Sequence, residues 1–499
     1  MSDEWVEIAS RRFDRLSHRI NVQSMKQLLK VYALEEDEGY RRELRNEMES
    51  ILGAYEAPFL DYERPVLAPP PPGRLNGELV LGTVAVGDEE VGELKLPLNA
   101  LCRGLGIYAQ SGHAKSTVIR GIEERVLIPN GIPFIHLDRK KEGRYLLPKH
   151  PNVIVLPANK IPWNPFRNPP GMNIRSWGQV LSDILGHSWK IYVAGVNYIW
   201  QMSSALYDEY DKTGRMPTFK DLREQMLQTT ESTRKGMEYW ETIWNKVDTT
   251  VSVFGDLLAV REGLRLETLL SKQVILELDG LRADIANWMA ECFLVFFFQY
   301  HLANDIRSEK LRFLIIGDEA QYLFYPMEYQ DVYTEMGPPR LFDIPIMGRD
   351  MGLGLVTATQ MPSMISKVVA ANQLIKLAGN VSSGTEIWAL QESLGLTDEV
   401  TEYIHRLKRA EWICRINDYY TEPMLLITPD LPINRNVTGD MVLERLRLLQ
   451  LPDETPDKTA EPQQQTTPRI TEDAKALLFD INNHPFRGVS KRFAAQPSS

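Results

Sequence analysis

Lys115 and Ser116 stand together in the stretch GLGIYAQSGHAKSTVIRG, where a short apolar run gives way to small and polar residues and then to a helical pattern. Against the phosphate-loop pattern G-x-x-x-x-G-K-[S/T], Ala109 occupies the first glycine position and Ala114 the second. Lys115 and Ser116 close the motif, and Gly112 falls inside it. A loop of this kind turns successive backbone N–H groups toward the β- and γ-phosphates of a nucleotide, and the following helix adds the positive end of its dipole. Lys115 would neutralise phosphate charge, and the Ser116 hydroxyl would ligate Mg2+. The residues expected to touch nucleotide are Ala109, Gln110, Ser111, Gly112, His113, Ala114, Lys115, Ser116 and Thr117. Alanine at the first position is familiar from helicase-type loops. Ala114 is less usual, because its methyl lies where backbone should closely approach phosphate.

A second signal lies two hundred residues on, in LRFLIIGDEAQYLF. Phe313 to Ile316 form an apolar run that ends in Asp318 and Glu319, as in a buried strand with two carboxylates at its C-terminal end. Open α/β sheets hold their ligands there. Asp318 would hold Mg2+ through water, beside Ser116, and Glu319 would orient or activate an attacking water. The pair also fits a plain helix cap. Further along, MGLGLVTATQMPSMI gives another buried strand, Gly354 to Ala358, ending in Thr359 and Gln360. A glutamine there can hydrogen-bond a γ-phosphate or the attacking water. Each feature is weak alone. Three of them, in this order and each on a strand end, point to a nucleoside-triphosphate site.

Positioning three strand ends together requires a parallel sheet. Strands and helices alternate to about residue 430, the pattern of such a sheet wrapped by helices. Before it, residues 78–100 read as a small β-subdomain, ELVLGTVAV and VGELKLPL with glycines at the joints. Residues 1–64 read as a helical region. Phe13, Leu16 and Ile20, then Leu44, Met48, Ile51, Leu52 and Tyr55, recur at helical steps, and Glu35 to Gly39 form the turn of a hairpin. Residues 65–77, with Pro65 and Pro69 to Pro72, read as a linker. Residues 431–499 read as a largely disordered tail, polar and proline-rich from Pro452 to Pro468, with one further helix possible in ITEDAKALLFDINNHPF.

Composition bounds the rest. The chain has 499 residues, 43% hydrophobic and 25% charged, enough for a sizeable core. A net charge of -11 excludes a protein that coats nucleic acid over its whole surface, though not one that holds it in a small basic channel. Cys102, Cys292 and Cys414 are too far apart in sequence for a disulfide framework or a zinc site. The N-terminus lacks a signal-peptide layout, and the apolar run Cys292 to Phe298 is far shorter than a membrane helix. A cytoplasmic protein is expected.

From about residue 78 to 428 the sequence resembles the HerA/FtsK superfamily. LNALCRGLGIYAQSGHAKST is similar to that family's lead-in to its nucleotide loop, and IPFIHLDRKKEGRY to the following strand, with Asp138 trailed by basic residues and a Glu. IPWNPF, GRMPTFKDL, VILELDGL, IIGDEAQ, MGRDMGLGLVTATQMPS and RAEWICRINDYYTEPMLLITP follow in the family's order. The resemblance implies an α/β fold: a RecA-like P-loop ATPase domain over residues 101–430 with a central, mostly parallel sheet and a helical insert at about 170–265. It implies ATP and Mg2+ bound between the subunits of a homo-hexamer, with an arginine supplied by the neighbour. Arg349 lies in a segment where the family carries a basic residue, and Arg340 is the alternative. Arg139, Lys140 and Lys141 would face DNA phosphates in the ring's channel, or form a solvated charge run. The activity implied is ATP-driven movement of double-stranded DNA, with a separate nuclease or a portal or secretion partner. A conjugation- or packaging-type motor of a mobile element, and a nucleotide-binding scaffold with little hydrolysis, are the alternatives. Three departures stand out: the two loop alanines, the lack of a preceding membrane segment, and the lack of a complete winged-helix pattern in the tail.

Overall fold

The computed structural model describes residues 4–15, 22–56, 64–71, 73, 76–229, 231, 233–326 and 337–449. Eleven strands form one sheet: β1 (Leu79–Val86), β2 (Glu89–Leu96), β3 (Leu105–Tyr108), β4 (Phe134–Asp138), β5 (Ile154–Pro157), β6 (Gln273–Glu277), β7 (Phe313–Gly317), β8 (Leu353–Thr359), β9 (Ile375–Ala378), β10 (Glu411–Ile416) and β11 (Tyr420–Ile427). Their order across the sheet is β2-β1-β11-β10-β9-β3-β8-β7-β4-β6-β5. From β9 to β5 all neighbours are parallel. Every residue of β3, β4, β7, β8 and β9 is buried, as expected of parallel strands covered by helices on both faces.

Beyond β9 the sheet turns antiparallel. β10 pairs with β9, β11 with β10, and β1 with β11 through Thr83↔Ile427 and Val84↔Leu426. The segment expected as a small β-subdomain is thus a hairpin that lengthens the central sheet. β1 buries five of its eight residues there, apolar surface that a free-standing two-stranded hairpin could not cover.

Among the helices of the described residues are α1 (Glu4–Arg15), α2 (Val22–Leu34), α3 (Glu38–Glu56), α4 (Lys115–Ile122), α5 (Ile174–Trp189), α6 (Val193–Thr213), α7 (Phe219–Gln228), α8 (Arg234–Phe254) and α9 (Ala283–Ala303). α5 to α8 lie between β5 and β6. The apolar run around Cys292 is the middle of α9, buried on nearly every side. Trp288 of α9 stacks on Trp163 at 5.7 Å, and Phe297 meets Phe313 of β7 at 5.3 Å, so α9 bridges the inserted helices and the sheet. No described helix is long and apolar enough to cross a membrane.

At the N-terminus, α1 joins α2 and α3, giving three helices where the periodicity suggested a hairpin. They have their own core of Trp5, Ala9, Phe13, Leu29, Tyr32, Leu44, Met48 and Leu52. The expected turn is present, since α2 ends at Leu34 and α3 starts at Glu38. Leu16, Ile20 and the side chain of Tyr55 lie outside the described residues. At the other end, the expectation of a disordered tail meets a helix at Gly439–Leu446, whose Val442 is buried in the core beside the sheet. Residues 450–499, including the polar stretch and ITEDAKALLFDINNHPF, lie outside the described residues.

Candidate nucleotide site

β8 lies between β3 and β7, with Tyr108 opposite Thr359 and Gly317 opposite Thr357. The phosphate loop, the acidic pair and Gln360 therefore leave the sheet at one edge. The loop is stitched to the strands beside it. Ala109 N–H donates to the Thr359 carbonyl (3.1 Å), Gln110 N–H to the Asn380 carbonyl (2.7 Å), and Gly379 N–H to the Tyr108 carbonyl (2.7 Å). Beneath it, the Tyr108 hydroxyl donates to Gln373, whose amide donates to Thr357 (2.7 Å). A side chain at Gly106 would overlap this buried trio.

Ala114 has φ 77° and ψ 21°, the left-handed conformation that glycine adopts freely, and α4 begins at the next residue. Its carbonyl accepts from Thr117 and Val118, at 3.0 and 3.1 Å. The alanine thus takes the backbone shape that the loop demands, with a steric cost. His113 is buried: its Nε2 lies 2.8 Å from the Glu411 carbonyl, and its ring meets Trp412 edge-on at 4.9 Å. Burial, with Lys115 nearby, holds His113 toward the neutral form. Lys115 is folded onto the loop, its Nζ donating to the carbonyls of Ala109 (2.7 Å) and Gln110 (3.1 Å). Burial and the neighbouring Lys140 lower it to about 8 against the pull of Glu319 and Asp318. Ser116 is half-buried and its hydroxyl has no partner among the described residues.

Across the edge, Glu319 has φ 54° and ψ 48°, again left-handed. Strain of this kind gathers at functional sites. Its carboxylate accepts from Gln360 Nε2 (2.6 Å, Oε1), from Gln321 Nε2 (2.7 Å, Oε2) and from Lys140 Nζ. Thr359 Oγ1 donates to Gln321 at 2.8 Å, which fixes that amide. Burial would raise Glu319, but these three donors outweigh it and hold the carboxyl below its usual range. Asp318 is raised by burial despite Lys140, whose Nζ lies 3.4 Å from Oδ2. Behind the pair, Glu123 accepts from His136 Nδ1 at 2.8 Å.

The other basic candidates lie elsewhere. Arg349 is exposed in the turn before β8, at the opposite end of that strand from Gln360. With Arg103 and Arg307 it lines a cavity of about 830 Å³. Arg340 is exposed and 4.0 Å from Asp343. Neither reaches the phosphate loop of its own chain. In the run Arg139-Lys140-Lys141, expected to face DNA or bulk solvent, Lys140 and Lys141 are exposed, and each of the three has a partner within the chain. Arg139 donates to Asn287 (2.5 Å) and lies 4.7 Å over the Tyr322 ring, and Lys141 pairs with Asp279 (2.5 Å). Lys140 and Gln321 are the site residues that sequence reading missed. Gln321 had a signal, lying two residues past the acidic pair; Lys140 lies 178 residues before its partner Asp318 and had none beyond its place after Asp138.

The sequence matches no family model and no curated protein. Solved structures match by shape. VirB4 of Thermoanaerobacter pseudethanolicus superposes with a TM-score of 0.53 at 15% identity, covering 73% of this chain and 99% of that one. The bacterial conjugative coupling protein TrwBdeltaN70, in its unbound monoclinic form, gives 0.52 at 12% identity, with 69% and 89% covered. The plasmid coupling protein TrwB with the non-hydrolysable GTP analogue GDPNP gives 0.51 at 12% identity, with 69% and 90% covered. The chain has the fold of these VirB4 and TrwB structures. Within this fold, the donors that Mg2+ would meet are the free Ser116 hydroxyl and the buried Asp318 carboxylate. That set suits a hard cation that also takes oxygens from phosphates and water. Among the described residues no group of three or more His, Cys, Asp or Glu side chains makes a separate metal centre.

Proposed function

We propose that the chain is a cytoplasmic ATP hydrolase that moves double-stranded DNA as a homo-hexamer, with each nucleotide held between two subunits. The observation that carries this reading is the convergence at one sheet edge of the phosphate loop, Asp318 and Glu319, with Gln360 hydrogen-bonded to Glu319. Loop N–H groups and Lys115 bind the phosphates. Glu319 orients a water in line with the γ-phosphorus and takes its proton as the bond to the ADP leaving group breaks. Ser116 and Asp318 would hold Mg2+, which would supply neutralisation of the phosphate oxygens. Gln360 contacts both Glu319 and the γ-phosphate region and relays its occupancy. Arg349, at the far end of β8, serves the site of the adjacent subunit and not its own.

The test is ATP hydrolysis by the purified protein with and without linear duplex DNA, beside Lys115→Ala. DNA-stimulated turnover that the variant lacks supports the reading. No turnover under any Mg2+ or salt condition overturns it and favours a nucleotide-gated scaffold, the reading that the strained Ala114 motivates.

A second reading has equal support from the shape comparison, since two of the matched structures are named as conjugative or plasmid coupling proteins. In it the same hydrolysis serves a mobile element, pumping DNA through a portal or secretion assembly. Co-purification with a nuclease favours repair or defence, and co-purification with a portal or secretion complex favours the mobile element.

A further inference from the structure

Three consecutive basic residues follow β4, and the fold sends each to a different place. The Asp138 carboxylate accepts from Lys140 N–H (2.8 Å) and Gly143 N–H (2.7 Å), which pins the loop into a tight turn. Lys141 takes φ 57° within it. Arg139 is held by Asn287 and Tyr322, and Lys141 by Asp279. Lys140 is the one of the three that is ion-paired with the acidic pair, its Nζ bridging Asp318 and Glu319.

That position conflicts with hydrolysis. Glu319 must accept from the attacking water, yet three donors already take three of the four lone-pair positions of its carboxylate: Lys140 and Gln360 on Oε1, and Gln321 on Oε2. Asp318 has one oxygen on the Glu319 N–H (3.1 Å) and the other facing Lys140. The ammonium thus sits on Asp318, the carboxylate that would hold the cation of a bound nucleotide. Gln321 and Gln360 are neutral amides and can stay when that cation arrives. A second positive charge beside the incoming one cannot stay without a new anion. The anion that binding would bring beside Glu319 in the reading above is the γ-phosphate, and Lys140 already touches Glu319.

Resting on the ATPase reading above, we infer that Lys140 is a positioning residue that neutralises Asp318 and Glu319 before nucleotide binds and swings to the γ-phosphate afterwards, so that Glu319 is released only for a triphosphate. ADP offers no such anion. With ADP bound, Lys140 remains on the carboxylates and competes with the metal, which weakens ADP relative to ATP.

The experiment is equilibrium titration of the full chain with fluorescent ADP and with a non-hydrolysable fluorescent ATP analogue, both with Mg2+, for wild type, Lys140→Ala, Lys140→Met and Lys140→Arg. Wild type is expected to prefer the triphosphate. Lys140→Ala and Lys140→Met are expected to reduce that preference by about tenfold, the scale of one charge-assisted hydrogen bond. Lys140→Arg is expected to restore it, which a packing role for the side chain would not do. Thermal melts verify that each variant is folded. An unchanged preference in both Lys140→Ala and Lys140→Met overturns the inference and leaves the ATPase reading standing. A wild type that binds neither nucleotide overturns both.

Discussion

Gln360, just past the end of β8, donates its side-chain amide to Glu319 at the end of β7, Nε2 to Oε1 at 2.6 Å. The bond joins two strand ends that are adjacent only because β7 and β8 are parallel neighbours in register. It orders Glu319, the proposed general base, and ties it to the end of β8.

Glu319→Gln keeps an acceptor oxygen but removes the base. A positioned general base contributes about 10²–10⁴-fold to rate, so steady-state ATP hydrolysis should fall at least by the lower figure while nucleotide affinity persists. Gln360→Ala leaves Glu319 with Gln321 and Lys140, and should slow turnover less. Turnover by Glu319→Gln equal to wild type would remove Glu319 from the mechanism. Rates and binding are both needed, from a coupled ATPase assay and nucleotide titration.

Ala114→Gly relieves a measurable strain. A left-handed backbone costs an L-residue about 1–2 kcal/mol, and glycine's greater freedom in the unfolded chain returns about 0.4–1 kcal/mol of that. The net gain should be on the order of 0.5 kcal/mol and visible as a small rise in Tm by calorimetry. A fall in Tm would mean that the methyl, which is largely buried among apolar neighbours, contributes more packing than the backbone loses.

These two sites also show what the sequence made legible. Asp318, Glu319 and Gln360 lie just past short apolar runs, and Lys115 lies one loop beyond another. Burial of a parallel strand on both faces writes such a run into local sequence, so the strand ends were readable one by one. Partners set by distant chain pairing were not. Nothing near Thr83 announces Ile427, and so the β1–β2 hairpin read as a separate unit when it in fact extends the main sheet. Arg139-Lys140-Lys141 read as a surface run for the same reason, since Asp279, Asn287 and Glu319 reach it only through β6, α9 and β7. The left-handed backbone of Ala114 and Glu319 was likewise hidden, because alanine and glutamate carry no mark of it.

The pair of His136 and Glu123 predicts a pH dependence. Burial alone would press His136 toward the neutral form, but the Glu123 carboxylate, with Asp138 and Asp318 near, lifts it to about 9. In the unfolded chain a histidine titrates near 6.5. A group raised on folding contributes stability that is complete below the unfolded value and lost as pH climbs through the folded one. Melting of the wild type should therefore decline between about pH 6.5 and 9, and the decline should be shallower in His136→Gln. Parallel curves for the two proteins would show that the pair is not charged in the native state.

Gly379 sits where β9 passes under the phosphate loop. A β-carbon built there would overlap the His113 ring, 2.5 Å from Nε2, and would lie 2.9 Å from the Ala109 methyl. His113 cannot retreat, since it is held by the Glu411 carbonyl and lies against Trp412. Gly379→Ala should therefore push the loop itself, costing about 1–3 kcal/mol as overpacking does and weakening nucleotide binding more than it lowers Tm. His113→Ala loses the carbonyl bond and the ring contact, and is destabilising alone. In the double variant the overlap with the ring is gone and only the Ala109 contact remains. The two effects should then sum to less than their separate costs, with a coupling of about 0.5 kcal/mol or more. Denaturant titration of the four proteins measures it. Strict additivity would place the strain of Gly379→Ala in β9 and leave His113 out of it.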